Sequence, residues 1–272
     1  MELTQVASRR TIAGRRSVWR RPASPSPIRL KPLAVPLSIV LLIGAWSVLA
    51  RFYPAWILPG PAQVWRRFVQ VAGDGTLLRH TQVTLTEALL GFGIGFCVAG
   101  ILGFVLAKSP TLERLVAPYI VASQSTPVIA VAPLLILWFG AGLLSKVLVC
   151  ALVVFFPMLV NTVIGLRSID SEYRDLFKML DASMWQTFTK LELPAALPVL
   201  FGGFRVGITL SVVGAVVGEF LGSDQGLGAL INIARGLFDT PLMFVALFTL
   251  ITIAMALYLS IALLERAFIR WR

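Results

Sequence analysis

The segment LFKMLDASMWQTFTKLELPAALP, residues 176–198, interrupts a strongly apolar chain with four charged side chains, and Asp175 stands directly before it. Of the 272 residues, 57% are hydrophobic and 14% are charged, and the mean hydropathy is +0.85. A soluble domain of this size could not bury so much apolar surface. The sequence therefore predicts an integral membrane protein in which this segment is a polar loop.

The apolar runs predict the number of membrane spans. Runs longer than about 18 residues are candidate transmembrane helices. Six occur, so we expect an all-α protein with six spans. The third run contains Pro118, Pro127 and Pro133, which predict a bent or broken helix. The runs lie within residues 31–51, 87–108, 114–146, 146–167, 193–218 and 239–265.

The lysine and arginine residues predict the orientation of the spans. With the N-terminus inside, seventeen lie on the cytoplasmic side and six lie outside, with Arg205 left within a span. Basic residues accumulate on the cytoplasmic side of membrane proteins. We therefore expect a multi-pass protein of the cell membrane with both termini in the cytoplasm. The net charge of +11 then follows from topology and does not indicate a nucleic-acid partner.

Residues 1–32 and 33–272 are expected to form separate parts. The first part is predicted to be a disordered basic tail that is attracted to anionic membrane lipid. The first apolar run is 19 residues long and no small-residue cleavage site follows it, which favours a span over a signal peptide. The second part is the transmembrane domain, with the polar loop at residues 167–192.

The polar loop is predicted to contain two short helices at an angle. Residues 171–180 carry apolar side chains at helical spacing. Ser183 and Gln186 form an S-x-x-Q capping box that starts a second helix, which should end before Pro194. Asp181 and Ala182 must turn the chain between them, and Asp tolerates a left-handed backbone. The loop would expose an apolar patch, typical of a surface that docks a partner: Phe177, Leu180, Met184, Trp185 and Phe188.

The loop resembles the EAA loop of ABC importer permeases, commonly written E-A-A-x3-G-x9-I-x-L-P. Residues 175–177 stand at the E-A-A positions, Asp181 at the glycine and residues 191–194 at the end. The closing half matches well, whereas the opening half has larger residues than alanine and lacks the glycine. The stretches APLLILWFGAGLLSKV, FFPMLVNTVIGLRSID, ASMWQTF, LPAALP and GEFLGSDQGLG extend the resemblance over residues 57–266. They are similar to permeases of the nitrate, sulfonate and taurine branch, which includes importers of riboflavin and of the thiamine pyrimidine precursor.

The resemblance implies a type I ABC importer permease fold and a division of labour. Two permease copies form a homodimer, ATPase subunits dock on their cytoplasmic loops, and an external substrate-binding protein delivers the solute. The chain contains no glycine–lysine dipeptide and so no Walker A loop, and we expect no enzymatic activity of its own. No cofactor is predicted, and the single histidine predicts no metal site. The residues to which the resemblance assigns ATPase coupling are Asp175, Phe177, Leu180, Asp181, Ala182, Ser183, Trp185, Gln186, Leu193 and Pro194.

Polar residues within the spans are candidates for the substrate path. A charge in a span should face protein or a wet cavity, so Arg205 could line an inner gate, bind lipid or snorkel. The hydroxyls and amide of SQSTP, residues 123–127, serve either a path or helix packing. Glu219 lies at the end of a span and could instead anchor the following loop. The candidates are Ser123, Gln124, Ser125, Thr126, Trp138, Arg205 and Glu219.

The polar groups of these spans favour an uncharged substrate. Hydroxyls, an amide and aromatic rings suit a flat heterocycle better than an anion, since Arg205 is the one cation that the sequence places within a span. We therefore expect riboflavin or a related vitamin precursor, with a sulfonate, taurine or nitrate as the alternative. An ion-coupled secondary carrier is the rival from another class. It would usually show acidic residues within spans, whereas Glu87 and Glu219 are expected at span ends.

Two further segments have two interpretations each. In GFGIGFCVAGILG, Gly91 and Gly95 predict close helix packing, within one subunit or, less favoured, across a dimer. The stretch LPGPAQVWRRFVQVAGDG, residues 58–75, is either an amphipathic helix at the outer membrane interface or a linker packed on the spans.

Overall fold

The computed structural model describes residues 34–124 and 127–269, and every regular element in these ranges is helical. The chain divides after Gly44 into two compact units, and the second, from Ala45 onward, holds all helices after the first. The helices are α1 Ala34–Leu49, α2 Pro61–Gly73, α3 Thr76–Lys108, α4 Pro110–Gln124, α5 Val128–Phe139, α6 Leu143–Arg167, α7 Ser171–Met179, α8 Met184–Thr187, a π-helical segment Phe188–Glu192, α9 Leu193–Gly222, α10 Leu227–Gly236 and α11 Thr240–Phe268.

Four helices are long and apolar enough to cross a membrane, and a bent pair is a fifth candidate. The four are α3, α6, α11 and a continuous helix that joins α8, the π segment and α9 over Met184–Gly222. The pair α4 and α5 bends by 91°, which confirms the broken third span that its prolines predict. The expected first span corresponds to α1. Its 16 residues extend about 24 Å, less than the roughly 30 Å hydrocarbon core, so the described helices reach five spans by length rather than six.

Glycines bring α3 close to α6. A methyl group added to Gly91 would overlap the Cβ atom of Cys150 and lie 2.9 Å from the carbonyl oxygen of Val147. At Gly95 the added methyl would lie 2.7 Å from the carbonyl oxygen of Ala151. Small residues allow this approach of helix backbones in a bilayer. The structure therefore confirms that these glycines pack within one subunit.

The contacts fix the directions of three central helices. Gly91 faces Cys150 and Gly103 faces Thr162, so α3 and α6 run parallel, whereas α9 is antiparallel because its Gly218 faces Lys146. The C-terminal ends of α3 and α6 therefore meet the N-terminal end of α9, and we name this the loop end because the polar loop joins α6 to α9 there. The other end of the three helices is the opposite end.

Helix α2 packs on the spans. Val64 and Val71 are buried, and Arg67 forms an ion pair with Asp239 at 2.7 Å, before the first turn of α11. Trp65 remains exposed on the other face. The stretch is thus both an amphipathic helix and a packed connection, so each interpretation of the sequence describes part of the structure.

Candidate functional site

The polar loop has the predicted helix–turn–helix geometry. Helix α7 ends at Met179, and Asp181 adopts a left-handed backbone with φ of 48°. The amide of Ala182 then donates to the carbonyl oxygen of Phe177 at 3.0 Å, which closes the turn. An aspartate is among the few residues other than glycine that reach this conformation at low cost. The predicted role of Asp181 and Ala182 as the turn is confirmed.

The capping box is also present. The Ser183 amide donates to Oε1 of Gln186 at 2.8 Å, and the Gln186 amide donates to Oγ of Ser183 at 3.2 Å. The predicted end of this helix before Pro194 is wrong, because α8 continues through the π segment into α9. The Leu193 amide donates to the carbonyl oxygen of Phe188, five residues back. Pro194 therefore lies inside a continuous helix, two residues after the π segment ends at Glu192.

The loop exposes an apolar surface, but the residues that form it differ from the predicted ones. Leu180 is 68% exposed and Trp185 is 72% exposed, as expected. Phe177 and Phe188 are half-buried instead, and the Phe188 ring lies edge-on to Phe104 of α3 with centroids 5.2 Å apart. We name the exposed surface the loop patch, formed by Leu176, Met179, Leu180, Met184 and Trp185.

Both ends of the polar loop are tied to the corner between α3 and α4. Lys108, the last residue of α3, forms an ion pair with Glu192 of the π segment at 2.5 Å. Arg167, the last residue of α6, forms an ion pair with Glu113 of α4 and donates to the Leu106 carbonyl oxygen at 3.4 Å. Sequence reasoning missed these contacts because they join residues that are distant in the chain.

The structure does not bring the candidates for the substrate path into one cluster. Arg205, the thirteenth residue of α9, is half-buried and forms an ion pair with Glu265 of α11 at 3.1 Å. Glu219 lies about 21 Å further along the same helix. Ser123 and Trp138 are exposed on α4 and α5. Gln124 ends α4, but its side chain, and all of Ser125 and Thr126, lie outside the described residues.

Glu219 anchors the loop that follows its helix, which is the alternative to a role in the substrate path that its sequence position offered. Its carboxylate is fully buried and accepts hydrogen bonds from Thr84 Oγ1 at 2.6 Å and from the Gly228 amide at 2.5 Å. The ring of His80, also buried, bonds through Nδ1 to the Gly226 carbonyl oxygen at 2.8 Å. These side chains hold the start of α10 against α3.

Glu87 and Lys146 are both buried near the opposite end of the helix bundle, where Lys146 is the fourth residue of α6. Glu87 is fully buried in α3, and its Oε1 lies 3.1 Å from Nζ of Lys146 in α6. Lys146 also donates to Oγ of Ser223 at 2.5 Å. Since each charge neutralises the other, both can enter the bundle. They line a cavity of about 580 Å³ at the opposite end, whose polar lining includes Arg79, Gln82, Thr86, Glu87, Lys146, Ser223, Asp224 and Gln225.

Comparisons with known proteins identify relatives along most of the chain. The riboflavin transport system permease protein RibX of Chloroflexus aurantiacus is 53% identical over 241 residues, which cover 88% of this chain and 90% of that protein. The formylaminopyrimidine transport permease protein ThiX of Halalkalibacterium halodurans is 35% identical, with 87% and 94% covered. The taurine transport system permease protein TauC of Escherichia coli is 28% identical, with 96% and 95% covered.

The fold agrees with these relatives. A chain of the methionine ABC transporter MetNI, in an inward-facing conformation, superposes with a TM-score of 0.65 at 19% identity, over 72% of this chain and 98% of that one. The fold is therefore that of a type I ABC importer permease in a multi-pass membrane protein. The sequence pattern of a permease family matches residues 95–270. This chain belongs to that family, the binding-protein-dependent transport system inner membrane components.

Proposed function

We propose that this chain is the permease subunit of an importer for riboflavin or a closely related flat heterocycle. The observation that carries the proposal is the 53% identity to a riboflavin permease over 88% of the chain. The taurine permease reaches 28%, although it covers more of the chain. Taurine, other sulfonates and nitrate are therefore the alternative substrates.

The loop patch supports an ATPase subunit as the cytoplasmic partner. Met184 and Trp185 are 73% and 72% exposed although both are large and apolar. The capping box and the left-handed turn hold this surface in one shape, which suits a groove in a separate protein. ATP hydrolysis then belongs to the ATPase, and the residues from Asp175 to Pro194 couple it to the spans.

The remaining parts of the assembly follow from the same scheme. An external binding protein delivers the solute at the opposite end, and a second copy of this chain completes the path as a homodimer. Both termini lie in the cytoplasm, and the basic tail contacts anionic lipid. The excess of lysine and arginine at the loop end supports this orientation.

The broken span formed by α4 and α5 is the best candidate for the path. Ser123 and Trp138 are exposed in the single chain and are therefore available to a solute or to the second copy. The neighbouring Gln124, Ser125 and Thr126 add polar groups without net charge. Arg205 and Glu219, in contrast, each have a partner within the chain, which favours a structural role for both.

Uptake by the reconstituted importer tests the proposal. The permease, its ATPase and its binding protein are placed in proteoliposomes, and riboflavin, the pyrimidine precursor, taurine and nitrate are offered separately. We expect ATP-dependent riboflavin uptake, with vesicles that lack ATP as the control. Uptake of taurine or nitrate with no response to either heterocycle would refute the substrate. Uptake driven by an ion gradient without any ATPase would refute the whole scheme.

A further inference from the structure

We propose that the α3–α4 corner, residues 106–113, is the mechanical joint that passes movement of the polar loop to the broken span α4–α5. This inference rests on the proposed function, because it assumes that an ATPase moves the loop. It assigns a positioning role to four charged residues: Lys108, Glu113, Arg167 and Glu192.

The loop is fixed to the corner where it begins. Arg167, the last residue of α6, forms an ion pair with Glu113, which lies in the first turn of α4. The same guanidinium donates to the Leu106 carbonyl oxygen at 3.4 Å, near the end of α3. Arg174 of α7 donates to the Leu166 carbonyl oxygen at 2.5 Å. Helix α7 is therefore linked through the end of α6 to the corner.

The loop is fixed to the corner again where it ends. Glu192 is 1% exposed, and its Oε1 accepts from Nζ of Lys108 at 2.5 Å. Nζ of Lys108 lies 5.5 Å from the centre of the Phe104 ring, on which Phe188 packs edge-on. Oε2 of Glu192 has no hydrogen-bond partner among the described residues, so the Glu192 charge depends on Lys108. A buried carboxylate that loses its cation is strongly disfavoured, which makes this contact stiff.

The corner itself transmits movement because it is short. A single residue, Ser109, separates α3 from α4, and its Oγ accepts from the Leu112 amide at 3.3 Å. A displacement of the polar loop therefore moves the first turn of α4, because the connection is too short to absorb the movement. Helix α4 leads directly to Ser123 and Gln124, at the break that we propose for the path.

The contact with Lys108 is made from a π-helical segment. Phe188–Glu192 is the one π-helical element among the described residues, and it lies between α8 and the span α9. Such segments are rare, appear mostly as single-turn bulges inside α-helices, and are frequent at functional sites. Glu192, the last residue of this segment, joins the loop to the corner directly before α9 begins.

The test uses the full importer in proteoliposomes, with riboflavin as the solute. The variants are Glu192→Gln, which removes a charge at constant size, and Glu113→Arg and Arg167→Glu, singly and together. We expect each single variant to bind the ATPase and hydrolyse ATP within about twofold of the wild type. Solute transported per ATP should fall at least fivefold, and the Glu113→Arg/Arg167→Glu exchange should recover part of that loss because the ion pair is restored. Asp239→Asn breaks an ion pair at the opposite end and should change nothing.

A second measurement follows α4 directly. Tyr119 is 73% exposed on α4, and a fluorophore on Tyr119→Cys in a Cys97→Ser background reports its surroundings, since the remaining Cys150 is buried. ATP should change the fluorescence in the parent protein and not in Glu192→Gln, although the ATPase stays bound. If these residues only kept the loop folded, their replacement would weaken ATPase binding instead, and that outcome would overturn the inference.

The outcomes separate the inference from the function on which it rests. If all three single variants transport a normal amount of solute per ATP, the proposed role of the corner is refuted and the permease assignment stands. A parent protein that neither binds an ATPase nor transports riboflavin overturns the proposed function itself. Should Glu192→Gln fail to insert, the exchange of Glu113 and Arg167 decides, because both side chains are about one third exposed and tolerate replacement.

Discussion

The replacement Gly91→Ala tests the packing of α3 against α6. The added methyl group would meet the Cβ atom of Cys150, the carbonyl oxygen of Val147 at 2.9 Å and the amide nitrogen of Ala151 at 3.1 Å. All three atoms are held by the α6 backbone, since a Cβ atom does not move when its side chain changes rotamer. The two helices must therefore separate.

The size of the effect follows from these contacts. Overpacking a tight interior costs about 1–3 kcal/mol, and we expect a value near the upper limit because backbone atoms are involved. Alanine favours a helix over glycine by about 1 kcal/mol, which offsets part of the loss. A net loss of about 2 kcal/mol would lower the melting temperature by roughly 4–8 °C.

Gly93 provides the matched control in the same helix. A methyl group there meets nothing within 4 Å, so Gly93→Ala should leave stability unchanged or raise it slightly. The assay is thermal unfolding of the purified permease in detergent, followed by the loss of the folded peak in size-exclusion chromatography. A destabilising Gly93→Ala beside a neutral Gly91→Ala would show that the Gly93 face is the closely packed one and would refute the contact of Gly91 with α6.

Two other predictions concern the polar loop and the buried ion pair. Asp181→Gly should keep ATPase binding because glycine adopts the left-handed turn freely. Asp181→Val should destabilise the turn by about 1–2 kcal/mol and weaken ATPase binding in a co-purification assay. Equal binding by both variants would contradict the role of the turn. Lys146→Met should lower stability by about 3–5 kcal/mol because Glu87 is left buried without a cation, and adding Glu87→Gln should recover most of it in thermal unfolding. No recovery in the double variant would show that Lys146 acts through other contacts.

The local features of the polar loop were predictable from its sequence. Ser183 and Gln186 stand three residues apart, and the hydrogen bonds of a capping box need no distant partner. Asp181 reaches a left-handed backbone for similarly local reasons. The break between α4 and α5 falls at Pro127, which precedes α5, whereas Pro118 and Pro133 lie inside the two helices.

Features that depend on distant partners were not predictable. Lys146, the fourth residue of α6, is buried because it meets Glu87 of α3, and a pair formed between two helices leaves no local signal in the sequence. The π segment has no sequence signature, so Pro194 predicts a helix end at a place where the helix in fact continues. Helix α10, Leu227–Gly236, begins in a glycine-rich stretch that is typical of a loop, and its first turn is tied to α9 by the hydrogen bond from the Gly228 amide to Glu219.

The buried carboxylates alter the argument against an ion-coupled carrier. Glu219 stands three residues before the end of α9, as expected, whereas Glu87 is the twelfth residue of α3. Both carboxylates are fully buried, so their position along the spans no longer decides the argument. What replaces it is the arrangement of their partners. Glu219 is occupied by Thr84 and by the Gly228 amide, and Glu87 faces the cavity with the Lys146 ammonium 3.1 Å away. A cation entering the cavity would have to displace that ammonium, which the charge of Glu87 already attracts. Family membership and this fixed positive charge, rather than a lack of buried acids, argue against ion coupling.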